Sequence, residues 1–173
     1  MALGQQALSR LFVDLNGRIS RRSYWLGIGI VSCANLAIIT TLSYAAGLTL
    51  DDYLYGAQSI IVVHLVALTL LFWPSMAVTI KRLHDRNTSG WWGALLHVFG
   101  VFVFMQAYFR KPFMVDVQPD LLNIVPTLVF LVLAAWLIVE LMFLPGTSGE
   151  NRFGPAPEHD VLAATQKAQP ATA

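Results

Sequence analysis

Four stretches of the chain, 24–46, 60–80, 91–108 and 121–144, are apolar on every helical face and carry between them a single formal charge, Glu140. A soluble helix would alternate apolar and charged faces with a period of 3.6 residues, and these do not, so lipid is the environment they fit. As helices, each is long enough to cross about 30 Å of hydrocarbon with every backbone group satisfied internally, the third with the least to spare. The expected fold class is therefore all-α: a polytopic membrane protein whose four transmembrane helices form a bundle, making one domain of residues 1–157.

Outside the four stretches the pattern changes twice. Leu8, Leu11, Phe12 and Leu15 recur at helical spacing before Asn16-Gly17, which predicts a short N-terminal helix lying in the membrane interface. Residues 158–173 are rich in Ala, Gln, Thr and Pro and are expected to be a disordered tail.

Composition supports the membrane reading: of 173 residues, 56% are hydrophobic and 12% charged, against roughly half and a quarter in soluble domains. The net charge of +1 gives no support for nucleic acid as a partner. A lone Cys33 rules out an intramolecular disulfide and a cysteine-rich metal site. No cofactor or metal is implied. The first apolar run starts at Tyr24 without a small-residue cleavage site behind it, so it is expected to remain as an anchor rather than be removed.

Charge sets the direction. Arg10, Arg18, Arg21, Arg22, Lys81, Arg82, Arg86, Arg152 and Lys167 would share one side and only Arg110 and Lys111 the other, which puts both termini in the cytoplasm. Tyr24, Trp25, Trp91, Trp92 and Tyr108 stand at the expected ends of spans, where amphipathic rings meet headgroups, while Trp73 and Trp136 fall deeper and are expected to pack.

The informative residues gather on the side that holds the termini. They are Gly17-Arg18-Ile19-Ser20-Arg21-Arg22-Ser23-Tyr24-Trp25, then Arg82-Leu83-His84-Asp85-Arg86-Asn87-Thr88-Ser89-Gly90-Trp91-Trp92, and last Pro145 to Pro157 with Asn151-Arg152-Phe153-Gly154 at its centre. Three such motifs in this order resemble a bacterial inner-membrane family of unknown function typified by YhaH, over roughly residues 12 to 157. The resemblance implies a small multi-spanning protein of the bacterial inner membrane and supplies no activity. Ser23 departs from it, standing where family members often have an acidic residue, and the third span lacks the proline expected near its middle.

Read as chemistry, Ser20 is placed to accept from backbone N–H groups opening the first span, with Arg18, Arg21 and Arg22 at phosphate depth. His84-Asp85 has the composition of an acid–base pair. Sequence neighbours seldom face one another on a helix, though, and no nucleophile is spaced beside them, so loop ordering is preferred, with Asp85 bonding backbone donors and Ser89-Gly90 turning into Trp91-Trp92. Because the second connection is short, the three motifs are expected to pack as one cap. In it Arg18, Arg21 and Arg82 would be donors, Asp85 and the carbonyls of the closing motif acceptors, and Trp91, Trp92 and Phe153 the apolar cover. Asn151 would satisfy loop backbone groups.

Asn35, His64, His97 and Glu140 lie inside the spans, where such groups are costly unless they face protein or water. Gly93, His97 and Gly100 share a face of the third helix, so His97 is expected to bond between helices. Glu140 is expected to pair with Lys81 or Arg82, and Pro74 to remove a helical donor and kink the second span.

Three functions follow, in order of preference. The first is a non-enzymatic membrane module whose cap binds lipid headgroups or another membrane protein, with homo-oligomers allowed. The others are a small transporter or channel subunit using Asn35, His97 and Glu140, and an enzyme acting on lipid through His84-Asp85.

Overall fold

The computed structural model describes residues 10–55, 58–109 and 121–157. In the described part, residues Arg10, Leu11 and Phe12 are helical. Then follow α1 (Arg21–Ala45), α2 (Leu50–Tyr55), α3 (Gln58–Asp85), α4 (Trp91–Phe109) and α5 (Leu121–Ile138), the last running into a π-helical turn, Val139–Phe143. Among the described residues there is no strand, only a single bridge between Asn151 and Gly154. Leu8, the loop 110–120 and the tail 158–173 fall outside the described residues.

Three of the helices, Arg21–Ala45, Ser59–Asp85 and Ile124–Phe143, are long and apolar enough to cross a membrane, and Trp91–Gln106 is a shorter apolar helix. Neighbours pack in the order α1, α3, α4, α5, and the π turn closes the ring by packing against both α1 and α3. The small residues expected on α4 do allow close approach. A Cβ on Gly93 would lie 3.0 Å from Thr79 Cγ2, and one on Gly100 3.2 Å from Phe130.

Helix ends follow local sequence. Ser20 caps α1 by accepting from Ser23 N–H at 3.3 Å, which starts the helix at Arg21, three residues ahead of the apolar run. Thr49 and Asp52 cap α2 reciprocally, and the Thr49 backbone and hydroxyl donors hold the Asp52 carboxyl below its ordinary range. Pro74 and Pro126 lie inside α3 and α5, and each helix continues through its proline.

The second span differs from expectation at its end. It does not stop at Ile80: α3 continues through Arg82 and Asp85 and closes in a Schellman turn, with Thr88 N–H to Leu83 O at 2.9 Å and Asn87 N–H to His84 O at 3.0 Å. Asn87 supplies the left-handed residue, φ +56°. The connection to α4 is thus only Arg86–Gly90.

Burial is inverted relative to a soluble bundle. The hydrophobic windows of the three long helices are 11–17% buried, whereas Met76 to Leu83 and Asp85, which include three charged side chains, are all buried. Around them Tyr24, Val78, Leu83, Leu137 and Leu141 form the core cluster, flanked by Leu11, Phe12, Ile19 and Met142. Packing is concentrated at the end of the bundle that gathers Ser20, Asp85 and Leu144, referred to below as the cap.

Candidate functional site

At the cap a carboxylate sits between two guanidinium groups. Asp85 Oδ1 accepts from Arg18 Nε at 3.2 Å and Nη2 at 3.0 Å, while Oδ2 accepts from Arg82 Nη1. All three side chains are essentially excluded from solvent. Burying three charges is tolerable only because the remaining donors also find acceptors. Arg18 Nη1 donates to Gly149 O at 2.7 Å and Gly154 O at 3.1 Å, and Nη2 to Thr147 O at 2.7 Å. Arg82 Nε donates to Leu141 O at 3.0 Å, and its Nη2 to Leu144 O. Side-chain cations therefore hold the Asp85 carboxylate, with Arg18 and Arg82 as the donors expected for the cap.

The closing motif caps α3. Thr147 donates to Asp85 O from both its backbone N–H and its hydroxyl, each at 2.9 Å. Asn151 Nδ2 donates to His84 O and to Thr147 Oγ1, both at 2.9 Å, and Asn151 Oδ1 accepts from Phe153 N–H at 2.9 Å. The last carbonyls of a helix have no intrahelical donor, and here the donors come from 62 to 67 residues away. Gly154, at φ +122°, adopts a backbone conformation only glycine takes readily.

The π turn is capped the other way round. Its carbonyls and those just beyond it accept in succession from Arg82 (Leu141 O), Trp25 Nε1 (Met142 O, 3.3 Å), Arg21 Nη1 (Phe143 O, 2.9 Å), Arg82 again (Leu144 O) and Arg86 Nη1 (Pro145 O). Cations placed at a helix C-terminus also complement its dipole. The end of α3 is thus satisfied by the closing motif, and the π turn by Arg82 and Arg86 at the end of α3 together with Arg21 and Trp25 of α1.

His84 and Asp85 face different partners. His84 Nδ1 donates to Gly17 O at 3.2 Å, and its ring stacks on Phe153 at 3.9 Å between centroids and 8° between planes. Arg152 lies over the same Phe153 ring at 4.6 Å. The structure therefore brings together Arg18, Ser20, Arg21, Arg82, His84, Asp85, Asn151, Phe153 and Gly154. Gly90 packs on Ile80 and His84, and Ser89 Oγ accepts from Trp91 N–H at 3.5 Å, at the edge of the cap. The tryptophans do not cover the cap: Trp91 is 81% exposed, and Trp92 meets Trp136 edge-on at 5.4 Å, farther along the bundle.

Three participants had no place in the sequence-based site. Thr147 bridges Asp85 and Arg18, Arg86 holds Glu140, and at Gly146 a Cβ would lie 2.0 Å from Asp85 Oδ2. The signal was their position inside the two motifs.

The Glu140 expectation is corrected. Its partner is Arg86, with Nε donating to Oε1 at 3.0 Å, and neither Lys81 nor Arg82. Because α3 runs on to Asp85, Arg82 is turned into the cap, and Lys81 Nζ donates to the carbonyls of Arg10 and Leu11. Among the other intramembrane polar residues, His64 Nδ1 donates to Ile60 O at 2.8 Å. His97 bonds within its own helix, to Gly93 O at 2.8 Å, and between helices, to Ser75 Oγ at 3.1 Å. Asn35 lines a cleft between α1 and α3. Among the described residues no group of three or more His, Cys, Asp or Glu is placed to hold a metal ion.

Residues 12–155 match the family described as "Protein of unknown function (DUF805)". The chain belongs to the DUF805 family. The uncharacterized protein YiiR of Escherichia coli (strain K12) is 32% identical over 142 residues, 82% of this chain and 84% of the relative. The inner membrane proteins YhaI and YhaH of the same strain are 29% and 28% identical, over 85% of this chain and 88% and 89% of their own. No solved structure matches. The span matched by the DUF805 family contains all the cap residues named above, from Arg18 to Gly154, so the site is built from the family's own segment.

Proposed function

We propose that this DUF805 protein is a non-enzymatic module of the bacterial inner membrane: four spanning helices, both termini cytoplasmic, and a rigid cytoplasmic cap whose rim binds anionic lipid headgroups. The observation that carries this reading is the division of labour among the arginines. Arg18 and Arg82 are spent on internal acceptors and Arg21 on Phe143 O, whereas Arg10 and Arg22 are exposed around the start of α1.

Four crossings are supported by connectivity. α4 leaves from the cap and the π turn returns to it, so the chain between them goes out and comes back. The positive-inside bias supports a cytoplasmic cap. A non-enzymatic role is favoured because His84 and Asp85, the pair with acid–base composition, are committed to Gly17, Phe153, Arg18 and Arg82. A neighbouring membrane protein is the alternative occupant of the same rim.

The test is native mass spectrometry of the protein released from membranes in gentle detergent. The wild type should retain phosphatidylglycerol. Since each interfacial arginine is worth about 1 kcal/mol, Arg10→Gln with Arg22→Gln should weaken that retention by about thirtyfold. Equal retention by the variant, or co-purification of a protein and no anionic lipid, would count against the lipid reading.

A further inference from the structure

We infer that the cleft between α1 and α3 is a binding site, inside the membrane, for a small neutral molecule carrying a carbonyl group. The inference is independent of the function proposed for the cap. Val31, Ser32, Asn35, Ala67, Leu68, Leu71, Phe72 and Ser75 enclose about 250 Å³ near the middle of two helices long and apolar enough to span.

The cleft is polar where its surroundings should not be. Among the described residues, neither the Asn35 amide nor the Ser32 hydroxyl forms a side-chain hydrogen bond. An amide in hydrocarbon without a partner is expensive, so something that enters from the bilayer and accepts its protons is favoured there. Ser32 is exposed, which places the mouth of the cleft on the outer surface of α1.

Ligand chemistry follows from what is free. Ser75 Oγ is already shared between Phe72 O at 3.0 Å and His97 Nε2 at 3.1 Å, leaving Asn35 Nδ2 and Ser32 Oγ as the available donors. A carbonyl oxygen accepts from both. No charged side chain lines the cleft, so a charged ligand would stay uncompensated. A cavity of about 150 Å³ takes benzene, so this one has room for a ring with substituents. Leu71 and Phe72 supply its apolar walls.

The molecule contains its own control. A wider groove of about 470 Å³ on α5, lined by Leu128, Val129, Val132, Leu133 and Trp136, has no polar side chain except the indole N–H. A ligand that merely partitions into apolar gaps will choose the wider groove.

Benzophenone, a neutral aryl ketone, serves as probe on the full chain in phosphatidylcholine nanodiscs. On irradiation its carbonyl takes a hydrogen atom from a nearby C–H and the two carbon radicals join, leaving a tertiary alcohol that mass spectrometry locates. Adducts should concentrate on Val31, Leu68 and Leu71, and Asn35→Leu should lower them at least fivefold while adducts at Leu128 to Trp136 stay constant, showing that the variant is folded. Adducts concentrated in the α5 groove, or cleft adducts unchanged in Asn35→Leu, would overturn the assignment.

Discussion

Arg18 Nη2 lies 3.0 Å from Asp85 Oδ1, joining the segment before α1 to the last residue of α3 across 67 positions of chain, with both side chains shielded from solvent. The same Arg18 reaches Thr147, Gly149 and Gly154, so one guanidinium of the first motif contacts the other two. Among the described residues the cap interior combines this charged network with an apolar core, while large apolar side chains cover the outside of the spans.

Close approach at the network predicts a steric effect. Gly146→Ala places a methyl group 2.0 Å from Asp85 Oδ2, a carboxylate held by Arg18 and Arg82, so the closing segment must shift. The expected loss is about 1–3 kcal/mol in unfolding by denaturing detergent, as for overpacking of a core. Gly29→Ala, where a Cβ meets nothing within 4 Å inside α1, should cause no loss of stability. Equal effects at the two positions would contradict the packing.

The Glu140–Arg86 pair is 14% and 22% exposed at its side chains, intermediate between surface and interior. Glu140→Gln should cost roughly 1 kcal/mol, and combining it with Arg86→Gln should cost less than the sum of the two single changes. Pairing Glu140→Gln with a Lys81 substitution should be additive. Non-additivity with Lys81 in place of Arg86 would refute the pairing.

How much of this could be read in advance depends on the residue. The apolar runs mark the helices because lipid imposes the same requirement on every face of a span, and hydropathy alone carries that. Contact between Arg18, Asp85 and the closing carbonyls was also legible, since a short connection and adjoining motifs leave little room to separate. The partner of Glu140 was not. It depends on α3 continuing five residues beyond its apolar run and on a π turn after Ile138, neither of which hydropathy registers. Trp91 was misread as cover because its aromatic character suits both a packed cap and a headgroup surface, and only coordinates separate the two.

Orientation is testable by labelling. A single cysteine at Asp52, in the Cys33→Ser background, should react with an impermeant maleimide added to intact spheroplasts, and one at Ser89 only after permeabilisation. Reaction of the Ser89 cysteine from outside would reverse the assigned direction.

The most direct measurement of the central claim, that the buried Arg18–Asp85–Arg82 network holds the three motifs together, is a double-mutant cycle on Arg18 and Asp85. Unfolding by denaturing detergent is measured for wild type, Arg18→Gln, Asp85→Asn and the double variant. Breaking a buried pair from one side leaves an uncompensated charge, so each single change should cost about 3–5 kcal/mol. The double variant should cost at least about 1 kcal/mol less than the sum. Strict additivity, or a loss below about 1 kcal/mol for Asp85→Asn, would contradict the account, because a carboxylate in contact with two buried guanidinium groups cannot be removed without consequence.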